Sequence, residues 1–164
     1  MEELKMLLHT HKHVTGFITR LTLATVILPH GCQMMLGWFN GPGFSNAMNY
    51  LTQVENLPWL VGFTVILLQF VGALAILAGF ASRLMAFGTI FMFLGMILTS
   101  HVQHGFFMNW MGDQKGEGFE YHLLVIGLSL VLMVAGAGQW SVDRLLTRKW
   151  HLKSTSANMP NAFA

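Results

Sequence analysis

Four apolar stretches dominate this sequence and decide what it can fold into. Segments 15–36, 59–80, 83–103 and 120–140 are mostly apolar. Each is close to the roughly 20 residues that a helix, rising about 1.5 Å per residue, needs to cross about 30 Å of bilayer hydrocarbon. Hydrocarbon offers no partner to backbone N–H and C=O groups, so a spanning segment must pair them internally, as a helix does. The rest of the composition agrees. Of 164 residues, 54% are hydrophobic and 10% charged, whereas soluble domains carry roughly 25% charged residues. Too few charges remain to cover a water-facing surface. The pattern predicts an all-α integral membrane four-helix bundle over residues 15–140, with a segment 1–14 before it and a basic tail 141–164 after it. Only Ala81-Ser82-Arg83 separates the second stretch from the third, which predicts a tight antiparallel hairpin.

Orientation follows from the basic residues, which concentrate on the cytoplasmic side of membrane proteins. Lys5, Lys12, Arg20, Arg83, Arg144, Arg148, Lys149 and Lys153 fall on one side, and only Lys115 on the other, out of nine in all. Both termini are therefore expected in the cytoplasm. The two long connections, 37–58 and 104–119, face outward. Trp38, Trp59, Trp110 and Trp140 lie near segment ends, where indole rings anchor at headgroup depth. The start of the chain, with two acids and no small-x-small site, predicts no cleaved signal. Cys32 is the single cysteine, so no intrachain disulfide or CxxC motif exists. The net charge of +2 gives no footprint for nucleic acid. Gly72, Ala75 and Gly79, with Gly88, Gly95 and Gly127, suggest stripes where helices approach closely.

Polar side chains are costly in hydrocarbon and point to function or to packing partners. The cytoplasmic halves of the segments read as nearly free of them. The outer halves are not: His30 and Gln33, Gln69, His101 and His104, and Glu117, Glu120 and Tyr121 all converge there once the helices alternate in direction. Several chemistries fit such a group. His30, His101, His104 and Glu120 are candidate ligands for a transition metal. His30, Gln33, Gln69 and Tyr121 are candidate contacts to a quinone head group, with Glu117 and Glu120 as proton acceptors. Two histidines on different helices could also ligate a haem. The structural alternative is a satisfied polar network that seals the bundle end. His9, His11 and His13 alternate in the N-terminal segment and read as a solvated basic terminus. The 12 methionines read as packing residues rather than a copper path.

Taken in order, these pieces resemble the DoxX family of small bacterial and archaeal membrane proteins, over roughly residues 16–147. The matching residues are Arg20, His30-Gly31, Gly37-Trp38-Phe39 with Gly41-Pro42-Gly43, Gln69 with Gly72, and Gly79 with Arg83-Leu84. They continue with His101, Gly105-Phe106-Phe107, Glu117-Gly118-Phe119-Glu120-Tyr121, Gly136-Ala137-Gly138 and Ser141-x-Asp143-Arg144. The family commonly has glutamate where this chain has Gln69. The resemblance implies a four-helix bundle in a bacterial inner membrane, associated with redox chemistry. One branch, similar to DoxD, supplies a subunit of a thiosulfate:quinone oxidoreductase.

Two readings follow. In the first the outer cluster binds a quinone head group or a metal, as part of a quinone-linked oxidoreductase. In the second the chain is a non-enzymatic accessory subunit that recruits a soluble oxidoreductase, alone or as a homodimer. A transporter fits less well, because only Gln69 is polar near the midplane. The orientation is directly testable. A reporter fused after Ala164 is expected to be active in the cytoplasm, and activity confined to the other side reverses the assignment.

Overall fold

The computed structural model describes residues 13–157, with side chains through Lys149, and no strand occurs among them. His9 and His11 and the end of the tail lie outside the described residues. The helices are α1 (Val14–Leu36), α2 (Gly43–Asn49), α3 (Trp59–Ala78), α4 (Ser82–His104), α5 (Glu120–Ala135) and α6 (Val142–Ala157). The apolar stretches became helices close to their expected limits, apart from the fourth. α5 stops at Ala135, because Gly136 and Gly138 take positive φ angles of 76° and 72°, which only glycine adopts without strain. Residues 136–141 form a turn instead.

α1, α3, α4 and α5 stand side by side. α1 packs on α3 and α5, and α4 closes the ring against the same two helices. Their shared core holds Leu23, Ala24, Ile27, Ala73, Ile76, Ala86, Phe93, Val125 and Leu132. Outward-facing Leu60, Leu84, Phe91, Leu98, Leu124 and Val134 are all exposed. Such a continuous apolar exterior exceeds what soluble proteins show, and it suits lipid. α3 and α4 are long and apolar enough by length and composition to cross a membrane. α1 is 23 residues long but diluted by Arg20, several threonines, His30 and Gln33. α5 is apolar but shorter, with 16 residues.

The end of the bundle where α1 begins is not nonpolar, contrary to the sequence reading of the cytoplasmic halves. Arg20 is buried at 3% exposure. Its Nε donates to the Ala137 carbonyl at 3.1 Å and its Nη2 to Gln139 at 3.1 Å. The same Nη2 reaches the Trp140 carbonyl, and Nη1 the Leu77 carbonyl. These carbonyls belong to the C-terminal end of α3 and the turn after α5, where unpaired acceptors and the helix dipoles favour a cation. Asp143, also buried, provides the opposite service. Its Oδ1 accepts from the Ala81 amide at 2.7 Å and its Oδ2 from Ser82 at 3.0 Å, capping the start of α4, where Ala81 has no side chain able to do so. The Asp143 amide donates to the Gly79 carbonyl at 2.9 Å. The α3–α4 hairpin is thus tied to the first and last helices by one guanidinium and one carboxylate.

Of the glycines in the stripe reading, Gly79 is tightly packed against Ser141 and Gly88 lies close against the Leu68 side chain of α3, whereas Gly72, Gly95 and Gly127 have room to spare. At Gly95 and Gly127 a Cβ would meet nothing within 4 Å, and at Gly72 only side chains of Leu68 and Met85 at ordinary separation. Gly79 belongs to the arginine end, against Ser141. Backbone meets backbone at Gly16, against residues 136–138, and at Gly31, against Gln69 and Phe70. Spacing alone cannot tell which face of a membrane helix meets a neighbour, since the lipid side is equally apolar. Gly31→Ala is therefore expected to lower the melting temperature in detergent, because its methyl collides with main chain that cannot rotate away. Gly127→Ala should be neutral or stabilising by up to about 1 kcal/mol through helix propensity. Equal melting behaviour of the two variants would contradict this packing.

Candidate functional site

At the opposite end of the bundle, the helices depart from regular α geometry in three places. π-helical turns span Tyr50–Val54 after α2, Leu68–Gly72 within α3 and Ile97–His101 near the end of α4. Single π turns are rare and occur often at functional sites, because the extra residue re-aims the side chains around it. Each turn here carries a polar residue that matters: Tyr50 in the first, Gln69 in the second, and Ser100 with His101 in the third. Gln69 is buried at 3% exposure although it lies midway along an apolar helix.

Gln69 and His101 border a partly open cavity of about 400 Å³ lined by residues of α1, α3, α4, α5 and the 105–119 loop. His30, Tyr121, His122 and Glu117 complete its polar lining, and Val26, Ile27, Phe93 and Met96 are among its apolar walls. The His101 and His122 rings lie 4.1 Å apart between centroids, and Phe93 packs on His122 at 5.4 Å. His101 Nδ1 donates to the Glu117 carbonyl at 2.9 Å, which fixes the ring. Among the described residues four buried side-chain polar atoms have no hydrogen-bond partner: the hydroxyls of Ser82 and Ser129, away from this cavity, and the Tyr121 hydroxyl and His122 Nδ1, whose residues line it. Buried polar groups are nearly always paired, so each such atom calls for a partner.

A second hollow of about 440 Å³ lies on the other side of His101, Glu117, Met34 and Met96, which line both. There the Tyr50 hydroxyl donates to Glu55 Oε1 and the Ser100 hydroxyl to Glu55 Oε2, both at 2.6 Å. This carboxylate latches the connection between α2 and α3 onto α4.

The structure gathers some of the expected residues and separates others. His30, Gln69, His101, Glu117 and Tyr121 surround one cavity. Gln33 sits apart, donating to the Phe39 carbonyl at 3.3 Å. Glu120 turns away, accepting from the Met108 amide at 3.0 Å and the Trp110 indole at 3.3 Å. The Glu117 carboxylate accepts from the Asn109 amide at 2.7 Å. Both acids thus order the loop before α5. His104 lines the second hollow and packs against Gly116. Among the described residues, no three His, Cys, Asp or Glu side chains stand close enough together to hold a metal ion. Cys32 is buried and free.

His122, Tyr50, Glu55 and Ser100 are not among the candidate site residues read from the sequence. A helical signal for His122 existed: His122, Val125, Ser129 and Leu132 are the buried residues of α5, spaced three and four apart as one helix face requires. Glu120 lies on another face of that wheel.

The DoxX family model matches residues 16–102. Inner membrane protein YqjF of Escherichia coli (strain K12) is 34% identical over 114 residues, 70% of this chain and 82% of that protein. No solved structure matches the chain.

The latch has a defined pH dependence. The Ser100 hydroxyl, and then that of Tyr50, hold the Glu55 carboxyl below its ordinary value, and the bond to Glu55 pushes the Tyr50 phenol up. A depressed carboxylate pKa stabilises the fold above the unfolded value, about 4.3 for glutamate, and this contribution is lost as pH falls through the folded value. The raised phenol keeps its proton beyond about pH 10. Wild type should therefore melt above Glu55→Gln at neutral pH, with the gap closing below about pH 4.5. A gap independent of pH in melting curves would show that the carboxylate is not the latch.

Proposed function

The chain belongs to the DoxX family, and on that premise we propose that it spans the inner membrane four times and binds a quinone head group in the cavity between His30, Gln69, His101, Tyr121 and His122. It is an inner-membrane protein with an all-α fold. The eight-to-one distribution of basic residues supports cytoplasmic termini and an outward cavity. Paired with its neighbours and with locally thinned lipid, the shorter α5 can still reach across.

The observation that carries the binding reading is the pair of partnerless buried atoms, Tyr121 Oη and His122 Nδ1, beside a cavity with apolar and aromatic walls. Ligand sites combine such walls with a few convergent polar groups, in volumes of roughly 300–1,000 Å³. A quinone ring presents two carbonyl oxygens on a flat apolar body. The Tyr121 hydroxyl can donate to one of them, and Gln69, His30 and His122 supply further polar contacts. The donor set favours this over a metal, because the expected ligands His104 and Glu120 point elsewhere. Haem is disfavoured as well, since the His101 and His122 rings, 4.1 Å apart between centroids, leave no room for a macrocycle between them.

A short-chain quinone titrated into the detergent-purified protein, with calorimetric readout, tests the reading. One equivalent should bind. Tyr121→Phe should weaken binding about tenfold, the equivalent of one hydrogen bond of about 1.4 kcal/mol. His122→Ala should weaken it too, and the double variant should lose less than the sum, as groups around one ligand are coupled. Glu120→Gln should leave affinity unchanged. A wild type that neither co-purifies with quinone nor binds it sinks the proposal, and a stoichiometric metal in the same samples would replace it.

A second reading, an accessory subunit that docks an oxidoreductase, is favoured by one feature. The 105–119 loop exposes Phe107, Trp110 and Met111 at 68%, 82% and 88%, an apolar display suited to a partner. Crosslinking from position 110 in native membranes would identify that partner.

A further inference from the structure

At the arginine end, outside the knot made by Arg20 and Asp143, the surface is basic and shaped. A cavity of about 470 Å³ opens between the end of α3 and the start of α6, with Ala78, Trp140, Leu145, Arg144 and Arg148 among its walls. Arg144 and Arg148 are four residues apart on α6, so their side chains share one face. Neither guanidinium has a hydrogen-bond or ion-pair partner among the described residues. The nearest carboxylate in sequence, Asp143, is buried and turned inward onto the Ala81 and Ser82 amides. Lys149 is exposed one residue further on. Among the described residues, no carboxylate pairs with the charge on this face.

Trp140 gives the site its apolar side. Its φ is 51°, a conformation costly for a bulky residue unless its surroundings impose it. Here Arg20 binds its carbonyl, and Phe17 braces the indole edge-on at 5.0 Å. The ring nevertheless stays exposed, at 69%, beside exposed Leu145. An indole held in this way next to two guanidiniums, at the level where the apolar helix α3 ends, matches the boundary between acyl chain and headgroup. Indole rings settle at that depth, and basic pockets there attract lipid phosphates.

We propose that this corner is a binding site for one anionic phospholipid, with Arg144 and Arg148 on its phosphate and Trp140 and Leu145 against its glycerol and upper acyl chain. A guanidinium pair suits phosphate, because each presents a planar fork of N–H donors to the oxyanion. Charge complementarity and the adjoining apolar wall together select a lipid over a free anion. The site lies at the opposite end of the bundle from the quinone cavity and does not depend on that reading.

Native mass spectrometry of the full chain in a neutral detergent, titrated with phosphatidylglycerol or phosphatidylcholine, tests it. The wild type should retain one phosphatidylglycerol at least tenfold more tightly than phosphatidylcholine. Arg144→Gln/Arg148→Gln should weaken phosphatidylglycerol roughly 30-fold, about fivefold for each guanidinium. Lys115→Gln, on the other side, should leave it unchanged. Should the double variant misfold by circular dichroism, Arg148→Glu at an exposed position serves instead, with at least the same loss. Equal retention of the two lipids, or undiminished phosphatidylglycerol binding in the arginine variants, overturns the proposal. So does competition by millimolar inorganic phosphate, which would make the ligand a free anion.

Discussion

The buried guanidinium of Arg20 is the constraint around which the bundle is organised. A charge in this position is tolerated only if every donor finds an acceptor, and the four carbonyls that meet it come from Leu77, Ala137, Gln139 and Trp140. Hydrogen bonds to charged groups contribute about 1.5–3 kcal/mol each net, so the knot outweighs the small van der Waals gains of helix packing in lipid. Without the hydrophobic effect to drive helices together inside a bilayer, such a fastening fixes which helices are neighbours. It also explains why α5 must end early: the acceptors lie in the irregular turn that Gly136 and Gly138 open.

The two ends of the bundle divide the labour. At the arginine end, each buried ionic group is consumed by backbone partners, leaving a rigid base. At the histidine end, π turns break the regular register, and polar atoms remain without partners around a cavity. The contrast lies in how the ionic groups are paired and not in polar satisfaction as a whole, since the buried Ser82 hydroxyl at the arginine end also lacks a partner. His101 and Glu117 stand between the two hollows, so the ordering of the 105–119 loop, the Glu55 latch and the shape of the cavity are mechanically joined.

Much of this was legible in the sequence. Apolar run length located the helices to within a few residues, and alternation of direction brought His30, Gln69, His101, Glu117 and Tyr121 to one end. The rest was hidden for physical reasons. Backbone carbonyls distant in sequence, three of them more than a hundred residues away, leave no side-chain pattern to mark them as partners of Arg20. A π turn shifts the helical face of every residue beyond it, so a regular wheel misplaces the residues after Gln69 and His101. Glu117 and Glu120 look like paired acids in the sequence, but the amides of Asn109 and Met108 claim them locally. His122 was marked by its spacing with Val125 and Ser129, yet the more visible acids beside it drew the reading to Glu120, on another face of α5.

The span of the Arg20 knot has a consequence in time. Its donor is made early in synthesis, the Leu77 acceptor follows in α3, and the three acceptors in the turn after α5 come more than a hundred residues after the donor, so during translation the first helix carries a charge most of whose partners do not yet exist. Until the ribosome has delivered Trp140, that helix must keep its guanidinium near the aqueous boundary or borrow lipid headgroups. Only then can it settle to its final depth. A chain interrupted before this point would leave a bare cation at the membrane surface. Closure of the knot therefore waits for the turn after α5, and the first helix reaches its final place only after the fifth has been made.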